Sequence, residues 1–167
     1  MPIRDEEYTI LAFAMESVVS ELLSAHPKLG PPKVYLIDSE PDLGAGREDL
    51  VHWWHQAVAK FLHLQNHARI DLLKAEEEKG RFDRRKFSEL GLEIATMDHH
   101  NLPRAEQWQF SLSRAVFDRA SRQALAHVWT EPECSAQYGA GFILVMSWDE
   151  PDGTLHVLER VVTGKLE

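Results

Sequence analysis

Apolar and polar positions alternate along this chain with two different periods, and the period changes in the last third. Over residues 5–25, Ile10, Leu11, Phe13, Ala14, Val18, Leu22 and Leu23 recur at three-and-four spacing, which predicts an amphipathic helix. Asp5, Glu6 and Glu7 suit the positive end of its dipole, and Pro27 stands just beyond its last turn. GPP at 30–32 then breaks the chain before KVYLID, a short run of β-formers. DSEPDLGAG, residues 38–46, has the composition of a loop. A second helix is expected from Arg47 to His63, and a third over ARIDLLKAEEEKG, closing at Gly80. KFSELGLEIATM fits neither period; a turn followed by a short strand is the reading, and HHNLPRAEQ is a connector.

FSLSRAVFD, QALAHVWTE, GFILVMSW and TLHVLERVV are four runs of strand length. EPDG between the last two is a hairpin signal. GFILVMSW is apolar at nearly every position, which predicts a central strand covered on both faces. The expected fold class is therefore α+β, with N-terminal helices packed on a mainly antiparallel C-terminal sheet. At 167 residues, with no repeat or dividing linker, residues 1–167 are expected to form a single domain.

The C-terminal pattern FSLSRAVFD, QALAHV, Cys134 with Gly139 and Gly141, and DGTLHVLE resembles a family of small bacterial proteins. The resemblance spans about residues 108–160 and implies a Ser-Arg strand, an Ala-Leu strand, a Cys/Gly turn and a closing hairpin. Tyr138 stands where related sequences carry a second cysteine, and Leu155 and His156 occupy the region of an expected tryptophan. The resemblance implies one α+β domain and supplies no activity.

Charge and composition narrow the functions. The formal net charge is −9, a field that repels phosphate backbones, so nucleic acid is not an expected partner. Arg81, Arg84, Arg85 and Lys86 form the most basic run, but Glu76, Glu77, Glu78 and Asp83 interleave with it. No unbroken run approaches the roughly 18 apolar residues of a membrane span, and the acidic N-terminus does not read as a signal peptide. The single Cys134 forms no internal disulfide, and a cytoplasmic location with no membrane partner is expected.

HWWHQAVAKFLHLQNH, residues 52–67, holds four of the nine histidines beside two tryptophans. On a helix, Trp53, Trp54, Ala57, Val58, Phe61 and Leu64 fall on the apolar side, and His52, His55, His63 and His67 share the polar side with Gln56 and Lys60. His52 and His55, or His63 and His67, are spaced to offer two imidazoles from one face. Zinc needs further ligands and a second shell, and no HExxH is present. A metal- or small-ligand-binding enzyme using His52, His55, His99 and His100 is therefore the alternative, and a solvated helix face the leading reading.

Cys134 follows Glu131 and Glu133, which favour the thiol over the thiolate; His127 is its nearest available base. Gly139 and Gly141 precede a strand, not a helix, and are expected to serve a turn or bulge. Ser111 and Ser113 lack the G-x-S-x-G context, and Arg114 is expected to pair with Asp118 or Glu131. With no catalytic or cofactor motif, the expectation is a non-catalytic protein-binding module needing no cofactor. Its concrete form is an acidic immunity or inhibitor protein for a bacterial toxin. The residues expected to meet a basic partner are Asp38, Glu40, Asp42, Glu48 and Asp49, with Tyr138 in a second loop. A homodimer built on an edge strand or on the tryptophan-bearing helix is a further expectation.

Overall fold

The computed structural model describes residues 3–38, 47–61, 82–94, 107–132 and 140–165, and within them the architecture is α+β. Helix α1 spans Asp5–Ala25, strand β1 Val34–Asp38, helix α2 Arg47–Val58 and helix α3 Arg84–Glu89. Strands β2 (Gln107–Leu112), β3 (Val116–Asp118), β4 (Gln123–Pro132), β5 (Ala140–Trp148) and β6 (Leu155–Lys165) follow. They form one sheet in the order β1-β2-β4-β5-β6, with β3 also on β4. Among these strands the β1–β2 pairing is parallel and the others are antiparallel, so the sheet is mixed but mainly antiparallel.

Alternation along the strands explains how both sheet faces find cover. Trp108, Phe110, Leu112, Ala124, Ala126, Val128, Phe142, Leu144 and Met146 share a core with Tyr8, Leu11, Met15 and Val18 of α1. The intervening Leu125, Ile143 and Val145, with Val161, share a second core with Trp54, Ala57 and Val58 of α2. Strand β5 is thus enclosed from both sides, as its unbroken apolar run predicts. By length and apolar content α1 could cross a membrane, but ten of its 21 residues are buried in this core.

Three expectations need correction. The helix after Arg47 stops at Val58, where Phe61 N–H closes a turn onto the Val58 carbonyl, instead of continuing to His63. The stretch KFSELGLEI is helical over Lys86–Glu89 because Asp83 caps it, its carboxylate accepting from Arg85 N–H at 3.0 Å. Gly91, at φ 91°, then reverses the chain, and Ile94 makes a single parallel bridge to Tyr35. FSLSRAVFD is two strands, because the ladder breaks at residues 113–115.

That break is held by the helix. Arg114 reaches across to Glu7 with a bidentate pair (Nε to Oε1 2.7 Å, Nη2 to Oε2 3.0 Å), and Ala115 N–H donates to the same Oε1 at 2.9 Å. Glu7, which the sequence did not suggest, is therefore a partner of Arg114, and the Glu131 side chain lies outside the described residues. Asp118 accepts from Ser121 Oγ at 2.6 Å. The neighbouring acids of α1 do the same work on other elements: Asp5 meets Lys86 of α3 at 3.0 Å, and Glu6 pairs with Arg119 after β3. The Arg119 hydrogen bond holds the Glu6 carboxyl below its ordinary range despite some desolvation. An acidic first turn that reads as dipole complementation is also a three-way anchor.

Candidate functional site

Strand β6 lies at an edge of the sheet and is unlike the rest of it. Among the described residues four large apolar side chains are exposed: Leu90, Val157, Leu158 and Val162. Three of them stand on β6. Register explains their placement. Val157 pairs with Met146, Arg160 with Leu144 and Val162 with Phe142, so these three face the α1 side of the sheet. Glu159 pairs with Val145, which leaves Leu158 as the extra residue of a bulge. Helix α1 does not reach far enough across to cover them. Between it and the strand runs a groove of about 290 Å³, lined by Ser17, Val18, Ser20 and Glu21 of α1 and by Phe142, Leu144, Val157 and Arg160.

Two ion pairs bracket this edge, Arg160 with Glu21 across the groove and Glu159 with Lys60 at 3.4 Å on the opposite face, and His156 Nε2 lies 2.7 Å from the Asp149 carboxylate in the hairpin. The surface combines exposed apolar side chains with a groove, which suits a protein contact more than a polar ligand.

A second cluster lies inside the sheet. His127 is buried, with Nε2 3.0 Å from Thr163 Oγ1. Ser113 Oγ accepts from His127 N–H at 2.9 Å and donates to the Arg114 carbonyl at 3.0 Å. Beside them Gly141 has no room for a side chain: a Cβ would sit 2.5 Å from Thr163 Oγ1 and 2.7 Å from the Trp129 ring. Trp129 and Gly141 are cross-strand partners, so the indole closes over the glycine. The polar atoms here fasten β4 to β6 and to the β2–β3 break, a structural role. Gly141→Ala is expected to lower stability by about 1–3 kcal/mol through overpacking. A urea midpoint equal to that of the parent would show that Trp129 and Thr163 yield freely. The glycine sits at a crowded crossing, adjacent to a register shift between Gly141 and Phe142, and has no phosphate-loop geometry.

Only some of the residues singled out from the sequence fall within the described residues. His52 and His55 lie on α2 with exposed side chains, alongside exposed Gln56 and Lys60, while Trp54 is buried and Trp53 half-buried. Among the described residues no group of three or more His, Cys, Asp or Glu side chains is placed to hold a metal. His99, His100, His63, His67 and Cys134 lie outside the described residues. Of the acidic patch, Asp38 ends β1 opposite Ser111, and Glu48 and Asp49 fall in the first turn of α2, not in a loop. Glu40, Asp42 and Tyr138 lie outside the described residues. Sequence reading missed Val157, Leu158 and Val162. TLHVLERVV does carry a signal, since five of its nine residues are Val or Leu, yet no strict alternation assigns them a face. Comparison with protein-family models, with curated proteins and with solved structures finds no match.

Proposed function

We propose that the chain acts by binding protein, with the β6 edge and the α1 groove as its contact surface. One observation carries this reading: three of the four exposed large apolar side chains among the described residues share that single strand, beside a groove. Scattered exposed apolar residues are ordinary, but three of the four described ones falling on a single edge strand is a concentration. The finer version, an immunity or inhibitor protein for a basic toxin, draws its support from the net charge of −9, which would steer a basic partner inward. The metal-enzyme alternative depends on His99 and His100 and gains no support from the exposed pair His52 and His55.

A photo-crosslinking side chain placed at Leu158 tests the general reading in cells that make the protein. Protein adducts are expected at position 158 and not at the exposed His52 on α2. Equal yields of adduct at the two positions, or none at either, would defeat it.

A further inference from the structure

The groove and the hairpin beside it differ in chemistry, and together they specify what fits. Resting on the protein-binding reading, we propose that the occupant is a segment of another protein that is apolar at one end and cationic at the other. A large apolar side chain enters the groove against Phe142, Leu144 and Val157, and lysines or arginines of the same segment meet Asp149, Glu150 and Asp152.

Size and lining argue for a side chain in the groove. At about 290 Å³ it lies at the lower limit of small-molecule sites, which run to about 300–1,000 Å³. Val18, Phe142, Leu144 and Val157 give it an apolar wall. Such a space suits one anchoring side chain of the kind that dominates protein contacts. The cation in its lining, Arg160, is already paired with Glu21, so an anionic head group would have to displace a carboxylate to bind there.

Charge fixes the other end. Asp149, Glu150 and Asp152 are exposed within the turn that joins β5 to β6. His156 Nε2 lies 2.7 Å from Asp149, and Arg122 stands nearby, its carbonyl accepting from Trp148 N–H at 3.2 Å. Glu150 and Asp152 make no ion pair among the described residues. The Thr154 N–H holds the Asp152 carboxyl below its ordinary range, so this acid keeps its charge at neutral pH. The net charge of −9 adds to the same field. An acidic segment, or a second copy of this chain, meets like charge at the turn, whereas a cationic segment is drawn in.

Spacing lets one segment reach both places. Phe142 stands six residues before Trp148 on β5, about 20 Å at about 3.3 Å per residue, and the turn follows directly. Roughly seven extended residues span that distance.

Panning a phage-displayed library of random dodecapeptides against the purified full chain tests this. The enriched peptides should carry a large apolar residue and at least two lysines or arginines within about seven positions of it. Glu150→Gln with Asp152→Asn should weaken an enriched peptide about tenfold, and Val157→Ser should do likewise. All three positions are exposed, so circular dichroism should match the parent. Glu16→Gln with Glu89→Gln removes two exposed acids elsewhere, one beside Tyr35 of β1 and one on α3, and should leave binding unaltered. Enrichment of acidic or uncharged peptides, or of none, would overturn the proposal. So would indifference to either hairpin or Val157 changes, and so would an equal loss in the Glu16, Glu89 variant, which would show attraction to net charge alone. The general protein-binding reading fails separately, if position 158 crosslinks to no protein.

Discussion

Glu7→Ala is expected to destabilise the fold by about 3–5 kcal/mol, the cost of breaking a buried ion pair from one side. An exposed pair would lose only about 0–1 kcal/mol, so the size of the effect reports where the pair lies. Glu7 and Arg114 keep 5% and 13% of their side-chain surface, which places them firmly in the buried class. Removing the carboxylate strips Arg114 of its bidentate acceptor and Ala115 N–H of its acceptor at 2.9 Å, both at a break in the sheet. Arg114→Met should cost a similar amount by leaving the acid without its cation. The double variant Glu7→Leu, Arg114→Met should recover much of the loss, because it deletes both desolvation penalties together. Chemical denaturation of the three variants gives the measurement. A single-variant loss under about 1 kcal/mol would move the pair into the surface class.

The second large effect comes from two neighbouring residues. Ile143→Ala and Leu144→Ala should each cost about 2–5 kcal/mol. Adjacent strand residues point to opposite faces, so a sheet covered on one face would show one large loss and one small. Here Ile143 packs with Trp54 and Val58 of α2, and Leu144 packs on the α1 side. Both are essentially fully buried. Near-neutral behaviour at Ile143 would mean that α2 is not the lid over that face.

The extent to which this structure is legible in the sequence varies with the range of the cause. Helix α1 was readable to the residue because its period, its acidic start and the following Pro27 are all local. The double cover of β5 was readable because a strand needs apolar residues on both sides to be enclosed. The partner of Arg114 was not, since nothing near Arg114 in sequence points to an acid at position 7. The stop at Val58 was hidden by an apolar period that runs on past it. At the edge, the legible signals were aromatic and histidine-rich, and drew attention to α2. The exposed residues of β6 are plain valines and a leucine, whose exposure depends on strand order and on how far α1 extends.

The parallel pairing of β1 with β2 bears on the order in which the molecule assembles. Strands β4, β5 and β6 follow one another and pair as neighbours, so they need little loop closure. Val34 must instead find Gln107 across roughly seventy intervening residues, a slower search and a greater entropic cost. The meander is thus the natural nucleus, and β1 its latecomer. A nascent chain would hold its N-terminal helix in waiting until β5 had been made, because the surface that α1 covers is built largely from β2, β4 and β5.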